Sequence, residues 1–510
     1  MKYKNPVIPG YHPDPSICRV GDDFYLVNST FEYFPGVPVH HSTNLVNWEL
    51  IGHCLTREEQ LPLQKCRPSG GIYAPTIRYC NGWFFMTTTN VSNGGNFIIH
   101  SRRPDGEWSD PAWVDQGGID PSLLFDEDGK VYFTSTGTNQ EGRQCIMICE
   151  VDPFTGQKYT ESRILSYGCG GRFPEGPHLY KIRGKYYLML AEGGTEFGHM
   201  ETIQRSDHPY GPYETCPHNP ILSHKEDMRG EIYCTGHADM TEDANGNWWM
   251  VCLAVRPCGN ENNRLMQHHL GRETFLSPVV WDEDGWPVVG DHGLIDLEMD
   301  GPLPGTPENV CWDFADDFTE PVFSFRYNFL RNPRMEHYIR KPEEGRLLLV
   351  GTEVTLNEQD TPTWVGIRQQ GFVTETMVYV VPKCCREGMR AGITAFYNND
   401  YHYDLCLTRE SGSWKLCLAK HVHDIFAVTA RMEADLSGAE GIWLKILSDR
   451  ESYHFYFSID GRIWQLLGRG LAVGLCTEGT RTTTFTGTYL AMFAENGEAE
   501  FADFSIRVSD

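Results

Sequence analysis

Along the N-terminal part of the chain, short runs of apolar and aromatic positions come in pairs, each pair joined by a polar turn. Gly118-Ile119-Asp120-Pro121-Ser122-Leu123-Leu124-Phe125 runs through Asp126-Glu127-Asp128-Gly129 into Lys130-Val131-Tyr132-Phe133. An acidic residue opens a short strand, an Asp/Gly turn follows, and an aromatic, β-branched strand returns, which is the signature of a hairpin. The unit recurs. His12-Pro13-Asp14-Pro15-Ser16-Ile17-Cys18 leads through Gly21 to Phe24-Tyr25-Leu26-Val27, and Ala74-Pro75-Thr76-Ile77 leads through Asn81-Gly82 to Trp83-Phe84-Phe85-Met86. Glu175-Gly176-Pro177-His178-Leu179 leads through Arg183-Gly184 to Tyr186-Tyr187-Leu188-Met189, and Gly236-His237-Ala238-Asp239-Met240 leads through Asn245-Gly246 to Trp248-Trp249-Met250-Val251.

The turn glycines 21, 82, 129, 184 and 246 are spaced by roughly 45 to 60 residues, the period of one propeller blade per repeat. The pattern therefore predicts a five-bladed β-propeller. The first strand of each blade lines the central axis in such a fold, so the strand starts converge on one mouth. Those positions carry Asp14, Ala74, Asp120, Glu175 and His237. Three carboxylates and a histidine are thereby expected in one pocket. Each acid alone is also explained as a turn residue, since Asp before Pro is common turn chemistry; three acids at one repeat offset favour a site.

Near Asp300 the pattern changes. Asp300-Gly301-Pro302-Leu303-Pro304-Gly305-Thr306-Pro307 reads as a linker. Alternating stretches follow, among them Arg346-Leu347-Leu348-Leu349-Val350, Met377-Val378-Tyr379-Val380-Val381 and His454-Phe455-Tyr456-Phe457-Ser458, with turns at short intervals. These predict a β-sandwich. The expected class is all-β, with a propeller over residues 1–300, a linker over 301–312 and a concanavalin- or jelly-roll-like sandwich over 313–510.

Composition narrows the function. A chain of 510 residues is too long for one ordinary core, and 51 Gly, 30 Pro and abundant aromatics agree with an all-β protein. A net charge of -26 argues against nucleic acid or an anionic membrane surface as partner, whereas a neutral sugar feels little penalty. Met1-Lys2-Tyr3-Lys4-Asn5-Pro6 opens without an apolar run of signal-peptide length, and no later stretch approaches a membrane span, so a cytoplasmic location is expected. The 17 cysteines, including adjacent Cys384-Cys385, lack paired metal-ligand spacing and read as free, mostly buried thiols, with neither a zinc site nor a disulfide framework expected.

Several residues outside the strand starts are candidates. Phe31 and Phe34, just beyond the strand after Asp14, are placed either to pack the blade or to wall a sugar site. Tyr73 adjoins the blade position that has no acid. Trp108 and Tyr213 look like outer-strand packing features. The glycine-rich stretch after Ala191 lacks the residues of a phosphate cradle. Arg272, in Leu270-Gly271-Arg272-Glu273-Thr274, is a candidate donor to substrate hydroxyls or to one of the acids.

Two carboxylic acids across a pocket, with a third tuning one of them, are what glycosidic bond cleavage requires. With these motifs the chain resembles glycoside hydrolase family 43, the β-xylosidase and α-L-arabinofuranosidase group, over nearly its whole length including the sandwich. Asp14 in His-Pro-Asp-Pro-Ser matches that family's general base. Asp120 in Gly-Ile-Asp-Pro-Ser-Leu matches its pKa modulator, and Glu175 in Pro-Glu-Gly-Pro-His-Leu its general acid. The resemblance implies an inverting, exo-acting enzyme that releases terminal pentoses from xylan- or arabinan-derived oligosaccharides without a required cofactor. It also implies that Phe31 and Arg272 serve as subsite residues. His237 in Gly-His-Ala matches an axial histidine beside the substrate, which binds calcium or another ion in some members. Where the better-known xylosidases have Trp-Ala-Pro-Asp, this chain has Tyr73-Ala74-Pro75-Thr76, resembling the bifunctional arabinofuranosidase/xylosidase branch. In xylosidase-like members the sandwich closes one side of the pocket; Thr484-Phe485-Thr486-Gly487-Thr488-Tyr489 is the expected loop and Phe485 the residue reaching in. Related enzymes are often homo-oligomers. The competing readings are a non-catalytic sugar-binding propeller, which needs no triad of acids, and an endo-arabinanase, which usually lacks the large second domain.

Overall fold

The paired runs form hairpins because their turns supply the backbone that two-residue loops demand. Asn81 and Gly82 have φ of 50° and 80°, and Arg183 and Gly184 have 50° and 79°, the doubly left-handed geometry that matches strand twist. The computed structural model of the chain describes residues 1–227, 229–259, 267–384, 386–480 and 484–509. Cys385 therefore lies outside the described residues.

Five four-stranded antiparallel sheets form the propeller, each built from one consecutive stretch of chain. Their innermost strands are Ser16–Val20, Thr76–Cys80, Ser122–Phe125, Glu175–Ile182 and Tyr233–Glu242. The N-terminal strand Lys2–Lys4 pairs with Glu298–Asp300, and the Asn5 side chain bonds both backbone groups of Leu276, holding the start of the chain against the fifth blade. Across the axis, buried Asp239 of the fifth blade accepts from Ser16 Oγ (2.6 Å), Tyr180 Oη (2.7 Å) and Arg78 Nη1 (2.7 Å). Four blades thus share one carboxylate, and Arg78 compensates a charge that burial alone would make costly.

The sandwich consists of two eight-stranded sheets. One of them takes its last strand from the propeller: Tyr33–Phe34 pairs with Asn328–Leu330. Phe34, a candidate sugar-wall residue, is spent on this seam and does not line the site. Stacked Tyr33 and Tyr489 (4.4 Å between centroids) join Tyr11, Phe31, Trp364 and Phe396 in an apolar cluster spanning both domains. Fully buried Arg331 seals the seam, giving hydrogen bonds to the Cys66 carbonyl (2.7 Å), the Asp360 carbonyl (2.6 Å) and Asn399 Oδ1 (2.8 Å).

Candidate active site

The ladders define which residue of each blade faces the mouth. The uninterrupted ladders begin at Ser16, Thr76, Ser122, His178 and Asp239, the last two after irregular pairing that starts at Glu175 and Tyr233. The residue two positions before each regular start is therefore Asp14, Ala74, Asp120, Gly176 and His237. Glu175 does not share the repeat offset of the other acids. It stands one residue before it, and Gly176 occupies the common position. The backbone agrees: Asp14, Asp120, Gly176 and His237 have φ between 47° and 55°. An ordinary side chain held there costs about 1–3 kcal/mol, strain of the kind that collects at functional sites. A side chain on Gly176 would meet the His237 ring, its Cβ 2.9 Å from Nε2.

Asp14, Asp120, Glu175 and His237 line one cavity of about 220 Å³ together with Phe31, Tyr73, Ala74, Arg272 and Phe485. Sequence reasoning missed Ile119, Phe173, Thr195 and Glu196, which complete the wall. Ile119 comes in beside Asp120 within its motif, whereas Phe173, Thr195 and Glu196 carry no motif and are brought in by the folding back of the loops after Gly168 and Ala191. Buried Glu192 holds the first of these loops by accepting from the Cys169 (2.7 Å) and Gly171 (3.1 Å) N–H groups. Trp108 and Tyr213 are packing residues away from the cavity.

Asp14 is bonded on both oxygens. Oδ1 accepts from Arg272 Nη1 at 2.9 Å and lies 3.7 Å from His237 Nδ1, while Oδ2 accepts from Ser29 Oγ at 2.5 Å. Burial opposes ionisation of this carboxyl, but Arg272, His237 and Ser29 outweigh it and hold it below the usual carboxylate range. Glu175 has the opposite environment. Burial, then the negative charge of Asp14, pushes it up to about 7, against the pull of Arg272. Asp120 is raised too, by burial and then by Glu175 and Asp14, although the Gly176 N–H supports its charge. Asp120 and Glu175 cannot both ionise cheaply, so the pair retains a proton where Asp14 has none.

The sandwich supplies the remaining wall. Rings of Phe31, Tyr73 and Phe485 contact one another at centroid distances of 5.2 to 5.9 Å. The Arg272 guanidinium lies 5.6 Å from Phe31 and 5.4 Å from Phe485, and bonds the Phe485 carbonyl at 3.1 Å. Ser69 ties the second blade to the same loop, accepting from the Phe485 N–H (2.8 Å) on Oγ and from Tyr73 Oη (3.1 Å) on its carbonyl.

His237 does not assemble a cation cage. Among the described residues no third His, Cys, Asp or Glu donor joins it and Asp14 within coordinating distance, and the Arg272 guanidinium already occupies the Asp14 carboxylate. The donor set does not fit a protein-held calcium ion.

A cavity that pairs an ionised carboxylate with a proton-holding one, on rigid strands and walled by aromatic rings, defines a glycoside hydrolase. Residues 3–287 match the model of glycosyl hydrolases family 43, and residues 315–507 match the β-xylosidase C-terminal concanavalin A-like domain. The chain belongs to glycoside hydrolase family 43 and is a glycosidase. It is 40% identical to a non-reducing end α-L-arabinofuranosidase of Bacteroides ovatus, over 98% of this chain and 93% of that protein. It is also 40% identical to a xylosidase/arabinosidase of Butyrivibrio fibrisolvens, over 80% of each. The crystal structure of xylan β-1,4-xylosidase from Bacillus halodurans superposes with a TM-score of 0.90 at 30% identity, covering 99% of each chain.

The seat of Phe485 depends on two glycines. A Cβ on Gly487 would stand 2.2 Å from the Leu270 carbonyl oxygen, and one on Gly271, at φ 89°, would stand 3.0 Å from the Gly487 Cα. Gly487→Val is expected to lift the loop and unseat Phe485. Misplacement of a positioning wall by about 1 Å costs on the order of 10²-fold in kcat/KM. Steady-state kinetics beside a melting curve checks this: a large kinetic loss with a small shift in Tm is expected, and unchanged kinetics would remove the loop from the site.

Proposed function

We propose that this family 43 enzyme is an exo-acting, inverting hydrolase. It releases terminal pentoses, α-L-arabinofuranosyl or β-D-xylopyranosyl, from short xylan- or arabinan-derived oligosaccharides. The observation carrying this reading is that Asp14, Asp120 and Glu175 meet around one cavity of about 220 Å³ whose outer wall, Phe485, comes from the second domain. That volume falls below the ~300–1,000 Å³ of pockets for drug-sized ligands and suits one sugar ring at the end of a chain. The names of the Bacteroides and Butyrivibrio relatives support a terminal pentose, arabinofuranose foremost.

In this scheme Glu175 donates its proton to the departing glycosidic oxygen. Asp14 removes a proton from a water whose oxygen bonds to the anomeric carbon on the opposite face as the glycosidic bond breaks. Asp120 does not ionise cheaply together with Glu175, and it orients the sugar between the acid and the base. Arg272 and Ser29 keep Asp14 ionised and aimed, and Phe31, Tyr73 and Phe485 stack against the ring. Calcium takes no step, since the residues around His237 do not form a site for it. Processing of imported fragments in the cytoplasm accords with the cysteine-rich composition.

The test is hydrolysis of 4-nitrophenyl α-L-arabinofuranoside and β-D-xylopyranoside, with the first-formed sugar anomer followed by proton NMR. Turnover of at least one substrate with the opposite anomer appearing first is expected. A retained anomer would overturn the water-activating role of Asp14. Failure on both substrates, with binding intact, would favour the sugar-binding propeller.

A further inference from the structure

The scattered cysteines gave no reason to expect a metal site, because the relevant pair is separated by 218 residues. The fold nevertheless brings Cys258, from the turn after the last blade's second strand, against Cys476 of the sandwich, with the two Sγ atoms 3.5 Å apart. His269, three residues before Arg272, completes a group whose donor atoms all lie within 4.8 Å of one another. All three residues are buried, at 0 to 1% exposure. Among the described residues neither ring nitrogen of His269 has a partner of full hydrogen-bond geometry, and its neighbour is the Cys258 thiol. A buried imidazole whose nearest polar neighbour is a thiol is weakly satisfied, and facing two sulfurs it is placed to share a metal ion with them.

We propose that Cys258, His269 and Cys476 bind a thiophilic divalent cation, zinc by chemistry, which pins the sandwich to the propeller directly behind the active site. Two thiolates and a neutral imidazole are a soft donor set that selects zinc over calcium or magnesium. Sulfurs about 2.3 Å from one tetrahedral ion stand roughly 3.7 Å apart, so the pair needs only a slight adjustment. Three protein donors leave the fourth position to water. None of the three residues lines the cavity, so the ion serves as an anchor.

The surroundings are built to transmit that anchoring. The His269 carbonyl accepts from Thr488 N (2.8 Å) and Thr488 Oγ1 (2.7 Å), and its ring packs on Phe372 and Tyr453 of the sandwich. Arg450 of the sandwich donates to the Pro257 carbonyl (2.7 Å), beside Cys258. The segment from His269 to Arg272 and the loop holding Phe485 are thus joined by the same cluster.

The experiment uses the full chain, reduced and freed of metal by chelation, and titrates it with cobalt(II). A thiolate-to-cobalt charge-transfer band in the near ultraviolet, with visible bands of tetrahedral intensity, is expected to saturate at about one equivalent and to bleach on adding zinc. Cys476→Ser and His269→Gln are each expected to weaken cobalt binding at least tenfold, whereas Cys54→Ser, in a separate core, leaves it unchanged. The wild-type titration keeps the test decisive if a variant fails to fold. Absence of the charge-transfer band in the wild type overturns the proposal. So does an unchanged band in Cys476→Ser, or a Cys258–Cys476 disulfide in non-reducing peptide maps of freshly purified protein.

Discussion

Glu175→Gln is expected to cut turnover of xylo- and arabino-oligosaccharides by on the order of 10²–10⁴-fold, the usual contribution of a positioned proton donor. The amide preserves shape and polarity but cannot protonate a leaving alkoxide. On 4-nitrophenyl glycosides, whose leaving group departs as a stable phenolate, the loss should be far smaller. Equal losses on both substrate types would remove Glu175 from the acid role. The pH profile offers an independent check. Burial and the charge of Asp14 raise the Glu175 carboxyl to about 7, and in the proposed scheme its protonated form is the active one. Wild-type kcat/KM should therefore fall as pH rises through about 7, and this limb should disappear in Glu175→Gln measured on the nitrophenyl substrates.

Asp14→Asn is expected to abolish activity on arabinofuranosides and xylopyranosides alike, by at least the same 10²–10⁴-fold, because in the proposed scheme one base activates water for either ring. Good leaving groups should not rescue it, which separates it from the acid. The substitution also leaves the Arg272 guanidinium, 5% exposed, without its carboxylate, and an uncompensated buried charge costs about 3–5 kcal/mol. A lowered Tm should accompany the loss. Removing the Asp14 charge also lowers the proton affinity of Glu175, so any residual activity should decline at lower pH than in the wild type. Survival of activity on one of the two sugars would mean that they do not share a base.

The hairpin repeat was legible because its signals are local. Asn81-Gly82 and Arg183-Gly184 dictate their turns, and strand alternation needs only near neighbours. Asp14 and Asp120 were found at their common offset for the same reason. Glu175 was found by its motif but assigned to the wrong register, because irregular pairing between Glu175 and His178 inserts a residue that no periodicity announces. Phe31 and Phe34 were indistinguishable in sequence, both being aromatic residues near a strand end. Pairing of Tyr33–Phe34 with Asn328–Leu330 sends one of them to the domain seam and leaves the other on the cavity wall.

The sequence by itself determined the class, the number of blades, the second domain and which three acids meet at the mouth, since each follows from turn chemistry, a repeat period or a short motif. Tertiary structure alone decided what happens across long separations. It brought Arg272 onto Asp14, set Gly271 against Gly487 so that Phe485 could close the pocket, and gathered Cys258, His269 and Cys476. The opposed proton affinities of Asp14 and Glu175 belong to this second kind. They arise from burial and from charges contributed by other blades, so they exist only once the blades have closed around a common axis.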